Sequence, residues 1–239
     1  MSRMYNKNQN PMKRTILFSV VFSVFTGMLL TILILIASLN AVRGQDTRYQ
    51  QAMEKAVAAL DTTQSVTGLQ ELGNTFSRIA NAEKDKWLPY YYAAYSQVMQ
   101  AFLDQKNKDR MREKADEAES LITRADELSP DNAEIRCIQS LILSARISIN
   151  PAVNGAILGP RSGELLEEAI RLAPENPRPH LLLGQALFYT PEMFGGGAEK
   201  ARPHLKNALE KFETFEPESS IHPDWGRELA QELMKQVGE

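Results

Sequence analysis

Three consecutive glycines, Gly195–Gly197, precede a helical pattern in the stretch YTPEMFGGGAEKARPHLKNAL, residues 189–209. Glycines before a helix can cradle a phosphate, because the first N–H groups of the helix are free to bind an anion. A Walker-type loop also needs a preceding strand and the spacing GxxxxGK[ST], and this stretch has neither. Glu199 already places a negative charge in the first turn of the helix. We therefore predict that the glycines and the adjoining Phe194 form a joint or lip, which makes Phe194, Gly195, Gly196 and Gly197 loop candidates for binding.

The three histidines are His180, His204 and His222. The tripeptide RPH occurs twice, at 178–180 and 202–204, so two imidazoles could face each other on paired helices. No Asp, Glu or Cys stands at ligand spacing beside them. We predict structural histidines and no metal site.

Catalytic constellations are missing as well. There is no GxSxG nucleophile motif, and paired carboxylates such as Glu167 and Glu168 fall on solvated helix faces where nothing raises a pKa. The single cysteine, Cys137, lies in the apolar stretch IRCIQSLIL, which excludes an internal disulfide and predicts a buried thiol. The sequence therefore predicts a protein that is not an enzyme and carries no cofactor.

The N-terminal segment indicates export. Residues 15–39 contain no charged side chain, and residues 1–14 contain basic but no acidic residues. The positive-inside rule then keeps residues 1–14 in the cytoplasm, and a helix over 15–39 would span roughly 37 Å, more than a bilayer core of roughly 30 Å. Two interpretations follow: an uncleaved anchor in the inner membrane, or a signal peptide.

Residues 40–47 are the linker or cleavage region. Val42 and Gly44 are small residues of the kind that cleavage requires, and the mature chain would then begin at Gln45. Both interpretations place the domain of residues 48–239 on the periplasmic side. All 30 acidic residues follow Gly44, and no basic stripe is present, so nucleic acid is not expected as a partner.

The exported part contains an internal repeat of helical periodicity. Each copy has a small residue, a bulky one four positions later, an alanine three further on, and a proline beyond. The copies are Ala118, Ile122, Ala125, Pro130; Ser162, Leu166, Ala169, Pro174; and Ala201, Leu205, Ala208, Pro217. The small residue lets helices approach, the bulky one fills the space between them, and proline ends the helix.

This pattern resembles the second helix of the tetratricopeptide repeat (TPR) family, and NPRPHLLLGQALFY, with Gly184 at its crossing point, resembles the first helix. The resemblance implies an all-α solenoid of helix–turn–helix repeats. The predicted repeats are about 48–86, 87–132, 133–176 and 177–219, with a capping helix within 223–237. The spacings exceed the family period, and the excess falls between the two helices of each repeat. We expect a helical extension at 104–114 and loops within 148–163 and 189–200.

In the TPR family the first helices line a concave surface. The resemblance therefore implies binding candidates on that face: Tyr91, Tyr95, Val98, Leu141, Leu181, Gln185 and Phe188. For the two tyrosines, packing against the opening helices or the inserted loops is an equal alternative. The predicted function is a non-catalytic scaffold that binds a segment of a partner protein. The alternative is a periplasmic protein that binds a small molecule, with the inserted loops closing a pocket.

Overall fold

A computed structural model describes residues 46–238 of the 239-residue chain. The chain divides into two compact units, Met1–Arg48 and Tyr49–Glu239, and the second corresponds to the predicted helical domain. The predicted cytoplasmic segment 1–14 and hydrophobic helix 15–39 lie outside the described residues, as does most of the linker. In the part of the chain that is described, no helix is long and apolar enough to cross a membrane.

The second unit is all-helical over its described residues, as the sequence predicts. The first helix, α1, covers residues 46–61. The others are α2 (Val66–Ala82), α3 (Trp87–Leu103), α4 (Lys108–Leu128), α5 (Ala133–Ile149), α6 (Pro151–Leu172), α7 (Pro177–Tyr189), α8 (Ala198–Thr214) and α9 (Arg227–Val237), with a short 3₁₀ helix at Glu192–Phe194. The α-helices before α9 form four pairs, which lie within the four predicted repeats.

Helix starts follow from local capping. Ser65, Asn107, Asn132 and Asn176 precede α2, α4, α5 and α7, and the side chain of each accepts a hydrogen bond from a first-turn N–H. Such caps satisfy backbone donors that have no partner within the helix, and each stabilises a helix by about 1 kcal/mol. The short polar turns between helices are therefore part of what sets the length of each helix.

Packing proceeds in chain order. Each helix from α2 to α9 packs against the next, and the first helices of successive pairs also contact each other, α3 with α5 and α5 with α7. The repeated small and bulky residues form this core: Ala118, Ile122, Ala125, Leu166, Ala169, Ala201, Leu205 and Ala208 are all buried. A Cβ at Gly184 would lie 2.7 Å from the Leu205 side chain, so glycine is needed where α7 crosses α8.

The three inserted stretches differ in structure. As predicted, the first extends a helix, since α4 begins at Lys108. As predicted, the third is a loop, around the 3₁₀ turn Glu192–Phe194. The prediction of a loop within 148–163 is wrong, because α6 begins at Pro151 directly after a one-residue turn. Proline suits the first helical position, where its missing N–H has no intrahelical role. The Asn154 amide also donates to the Arg146 carbonyl at 2.6 Å and fastens the turn.

The segment between α8 and α9, residues 215–226, is named the strap here. It returns from the last helix pair to the first two. The Ser220 hydroxyl lies 2.8 Å from Glu54 on α1, and the Tyr92 hydroxyl on α3 donates to the Ile221 carbonyl at 3.0 Å. After the strap, α9 covers Arg227–Val237, inside the predicted range 223–237, and packs on α8.

Candidate functional site

The predicted concave-face residues lie mostly inside the protein. Tyr91, Val98, Leu141 and Leu181 are buried, while Tyr95, Gln185 and Phe188 are half-buried. Four of the seven therefore offer no exposed side chain to a partner. Their assignment as binding residues stays a prediction, and the structure gives each buried one a role in packing.

The strap covers the two tyrosines. The Trp225 indole N–H donates to the Tyr91 hydroxyl at 2.8 Å, and the Trp225 ring stacks on Tyr95 with centroids 5.1 Å apart. The sequence left partner binding and packing as alternatives for these tyrosines. In the structure they pack, and the segment that covers them is the strap. Burial raises the pKa of Tyr91 well above its usual value, and so does the nearby Glu134 carboxylate. The phenol therefore stays neutral.

A buried ion pair lies beside these rings. Glu134 at the start of α5 accepts from Arg178 at the start of α7, with Nε–Oε2 at 2.8 Å, and from the Asn176 amide at 2.6 Å. Arg178 is 1% exposed, and its guanidinium lies over the Phe215 ring at 4.5 Å. This cluster joins α5, α7 and the strap, so its role is structural.

The glycine run forms a tight loop at the opposite end of α7. Gly195 and Gly197 have φ angles of 90° and 103°, a backbone region that favours glycine. A Cβ at Gly196 would lie 2.1 Å from the Thr190 carbonyl oxygen, and the Gly197 N–H donates to the Leu187 carbonyl at 2.9 Å. The geometry matches the predicted joint, and at each of the three positions a side chain would be strained or would clash.

This loop, residues 190–197, is named the tip loop, and it exposes large apolar side chains. Met193 is 83% exposed and Phe194 72%, and Tyr189 directly before the loop is 67% exposed. On the preceding hairpin Ile157 is 67% exposed. Solvent-exposed apolar side chains on a loop whose backbone is fixed by hydrogen bonds are typical of a binding surface.

The tips of the second, third and fourth helix pairs lie at one end of the stack. Arg178 and Glu134 join the starts of α7 and α5, so these helices run parallel and end at the same side. Arg146 near the end of α5 pairs with Asp116 and Glu119 near the middle of α4, and Lys108 at the start of α4 donates to the Ser148 carbonyl at 2.8 Å, which places the α3–α4 tip there too. Ile157 and the tip loop therefore belong to neighbouring tips.

One edge of α6 is free and lined by glycine. On α5, Arg136 bonds both Glu168 of α6 and Asp126 of α4, so Glu168 marks the α6 edge that faces α4. At about 100° per residue, Gly155, Gly159 and Gly163 lie on the opposite edge, towards the next helix pair. A Cβ built at any of the three meets no atom within 4 Å.

The facing edge of α8 is polar. Arg202 donates to the Val237 carbonyl at 2.7 Å and so marks the edge towards α9. On the other edge, Asn207 lies 3.4 Å from His180 of α7, and Lys211 pairs at 3.3 Å with Glu175 in the α6–α7 turn. Lys200 and His204, at steps of seven and three before Asn207, continue this edge towards the tip loop.

Between the two edges lies α7, on which both α6 and α8 pack. Leu183 and Leu187 follow His180 at steps of three and four, so they continue its face, and both are partly exposed. From these positions we infer a groove between the two edges, and we name it the α6–α8 groove. Its walls are the α6 glycines and the Lys200–His204 edge, its floor is Leu183 and Leu187, and its open end is the tip loop.

The two walls are at matching levels. The Ser140 hydroxyl of α5 lies 2.8 Å from the Ser162 hydroxyl of α6. The Glu134–Arg178 pair joins the starts of α5 and α7, and Ser140 and Gly184 each follow a member of that pair by six residues, so these two residues lie at the same height along the parallel helices. Gly184 in turn meets Leu205 of α8. His204 therefore stands across the groove from Gly163, and Lys200 stands one turn nearer the tip, beside the level of Gly159 and Gly155.

His180 and His204 keep neutral rings. Burial lowers the pKa of both imidazoles, and Lys211 and His204 lower that of His180 further. Within residues 46–238, no three His, Cys, Asp or Glu side chains form a group that could hold a metal ion. Burial also raises the pKa of the Cys137 thiol well above its usual value, so this thiol is unreactive.

These lowered pKa values predict acid sensitivity of the α7–α8 pair. A base whose pKa is lower in the folded state than the unfolded value of about 6.5 binds protons more readily when unfolded. The stabilisation of the folded state that depends on these neutral imidazoles is thus present above about pH 6.5, and it is lost as the pH falls towards the lowered pKa values. We expect urea unfolding to show a larger loss of stability between pH 7.5 and 5 for the wild type than for a His180→Gln, His204→Gln double variant. Equal losses would contradict this.

The described residues thus form an all-helical protein in which Leu183 and Leu187 lie between the glycine edge of α6 and the polar edge of α8. Among solved structures, the chain is similar to the HusA haemophore from Porphyromonas gingivalis, with a TM-score of 0.72 and 35% sequence identity. The similarity covers 80% of this chain and 92% of the haemophore chain. The chain therefore belongs to the family of this haemophore. No family model and no curated protein sequence matches it.

Sequence reasoning did not predict the groove, because it placed binding on the first helices and on the loop candidates and not between α6 and α8. The tip-loop candidates Phe194 and Gly195–Gly197 do lie at its open end, but His204, Lys200 and the α6 glycines were not proposed for binding. One signal was available: the spacing Gly155, Gly159, Gly163 puts three glycines on one helix edge. This spacing was not interpreted as a helix edge, because the same residues were expected to form a loop.

Proposed function

We propose that this protein is an exported, non-catalytic carrier that binds a haem-type tetrapyrrole in the α6–α8 groove. The observation that carries the proposal is the 35% identity over most of both chains to a haemophore. This makes the small-molecule alternative a better interpretation than the protein-binding scaffold. Export is part of the proposal, since a haemophore works outside the cytoplasm and residues 1–44 have the features of an anchor or a signal peptide.

The chemistry of the groove suits a flat macrocycle with apolar faces and acidic edges. Glycines at Gly155, Gly159 and Gly163 leave the α6 wall without side chains, so a planar ring can approach the helix closely. Leu183 and Leu187 offer apolar contact from the floor, which favours transfer of the ring out of water.

The rim of the groove supplies further contacts. Met193, Phe194 and Tyr189 are exposed at the open end, where they can cover the outer edge of a bound ring. Lys200 offers the positive charge that carboxylates on a tetrapyrrole require, and its ammonium donates to the Gly195 carbonyl at 2.9 Å, which fixes it beside the tip loop.

The TPR-type solenoid remains our proposal for the architecture. Packing in chain order, buried repeat residues and the glycine crossing at Gly184 support it. The strap departs from an open TPR groove, because it fills part of the concave side with Trp225 and Ile221. In our proposal the ligand therefore binds outside the concave side, between α6 and α8.

Replacing Gly159 with leucine tests this site. Because a Cβ there meets no neighbour, the variant is expected to fold, and leucine favours a helix over glycine by about 1 kcal/mol. The leucine side chain would occupy the space of the ring, so haem affinity is expected to fall about tenfold or more. Absorbance titration with haem measures the affinity, and thermal unfolding checks the fold.

The matched control is Arg161→Leu, on the other edge of the same helix. It adds the same side chain outside the groove, and its salt bridge to Glu164 is exposed and so contributes little. We expect haem affinity close to that of the wild type. If both variants bind haem like the wild type, the ligand is not in this groove.

A further inference from the structure

We propose that the tips of the second, third and fourth helix pairs form one surface that docks on an anionic lipid bilayer. This inference goes beyond the proposed function and does not depend on it. We name the surface the tip face. In each of the three pairs it comprises the last turn of the first helix, the connection, and the first two turns of the second helix, which are residues 100–115, 146–158 and 186–205.

The exposed apolar side chains of the domain are concentrated on the tip face. Within residues 46–238, eight large apolar side chains are exposed, and six of them belong to this face. They come from all three tips: Leu103, Val153, Ile157, Tyr189, Met193 and Phe194. The other two, Leu172 and Leu229, are the least exposed of the eight, at 38% and 37%. Apolar groups gathered at one end of a domain indicate a surface that another body covers.

Charge is divided so that this end of the domain is cationic. The tip face has eight Lys and Arg residues against five Asp and Glu, whereas the remainder of residues 46–238 has 14 against 24. An anionic bilayer therefore attracts the tip face and repels the rest of the domain, which sets the orientation of docking. Two tip faces would repel each other, because each carries the same positive excess. This disfavours a symmetric dimer through the tip face.

The apolar side chains are held by backbone that is already fixed. The N–H groups of Phe194 and Gly195 each donate at 2.9 Å within the tip loop, and Lys108 of the second pair donates to the Ser148 carbonyl of the third at 2.8 Å. Insertion into a bilayer therefore orders little additional chain. Aromatic and aliphatic side chains bordered by Lys and Arg are the groups that bury at the boundary between headgroups and acyl chains.

Oxidation of Met193 by hydrogen peroxide in the full-length chain tests this docking, because a thioether inserted among lipids is protected from an aqueous oxidant. The chain is compared, without tetrapyrrole, in phosphatidylglycerol and in phosphatidylcholine vesicles. Any contribution of residues 15–39 to membrane binding is common to both lipids. We expect Met193 to react about tenfold more slowly with phosphatidylglycerol. The half-buried Met234 on α9, outside the tip face, should react equally with both.

A pair of charge-reversal variants separates the tip face from net charge. Lys106→Glu with Arg112→Glu reverses two exposed charges of this face and should bring the two Met193 rates within about twofold of each other. The matched control, Lys206→Glu with Lys235→Glu, makes the same change in net charge at exposed positions outside the face and should keep the wild-type difference. Peptide mass spectrometry gives the rates, and circular dichroism checks the fold of both variants.

The outcomes are distinct from those of the haem experiments. Equal Met193 rates in the two kinds of vesicle would overturn the docking proposal, and so would a control that loses the difference as fully as Lys106→Glu with Arg112→Glu. Protection of Met193 without vesicles that grows with protein concentration would also overturn it, since a second copy would then cover the face. Because the samples contain no tetrapyrrole, any of these results leaves the carrier proposal standing, and a failure to bind haem leaves the docking proposal standing.

Discussion

Glu134→Gln is expected to lower the free energy of unfolding by about 3–5 kcal/mol, because it leaves the buried Arg178 guanidinium without a counter-charge. The side chains are 1% and 13% exposed for Arg178 and Glu134. Burial by itself would lower the pKa of Arg178, but Glu134 more than offsets this, and the pKa is raised. Arg178 therefore stays charged in the variant, and the burial of this unpaired charge destabilises the folded state. Chemical denaturation measures the difference.

Two further variants separate the charge effect from general damage. Glu119→Gln removes an exposed partner of Arg146, and the expected change is within about 1 kcal/mol. Replacing the whole pair, Glu134→Gln with Arg178→Met, should recover a large part of the loss, since the buried cation without a counter-charge is then gone. A single Glu134→Gln variant as stable as the wild type would contradict the structural role of this cluster.

Trp225→Ala is expected to cost about 2–4 kcal/mol, because it removes the residue that holds the strap on α3. Its ring stacks on Tyr95, its indole N–H bonds Tyr91, and it lies 5.8 Å from the Arg178 guanidinium. Loss of these contacts should also raise hydrogen exchange in residues 215–226. Thermal and urea unfolding give the stability, and exchange measured by mass spectrometry gives the location.

Trp225→Phe is the matched control for the strap. It keeps a ring on Tyr95 and loses only the hydrogen bond to Tyr91, so the expected loss is about 1 kcal/mol. Exchange in the strap should then stay close to that of the wild type. A Trp225→Ala protein with unchanged stability and unchanged exchange would show that the strap is not held by this side chain.

Much of the fold is predictable from the sequence because its determinants are local. The periodic faces around Ala118, Leu166 and Leu205 indicate which side of each helix is buried, and Asn132 and Asn176 mark helix starts. The position of Gly184 within its helical pattern predicts a close crossing of two helices, and Leu205 packs against it in the folded protein.

The site is less predictable because it depends on contacts between distant parts of the chain. For Tyr91 and Tyr95 the sequence leaves concave-face exposure and packing as equal alternatives, because residue 225 covers them from a distant part of the chain and no local pattern indicates this contact. The glycines of 151–163 suggest a loop by composition, yet they form a helix edge because Pro151 can begin a helix and Ser162 is anchored to Ser140. The groove depends on the glycine edge of α6 and the polar edge of α8 lying next to each other. Neither segment of the sequence indicates this placement by itself.

The most direct test of a tetrapyrrole site in the α6–α8 groove is to map ligand contacts by amide NMR on the isotopically labelled protein. The probe is gallium protoporphyrin IX, a diamagnetic analogue of haem. Saturable shifts are expected to concentrate at Gly155, Gly159, Gly163, Leu183 and Lys200, with the tip loop following, while residues 215–226 stay unperturbed. Shifts confined to the strap and Tyr95, or no saturable shifts at all, would contradict a site in this groove.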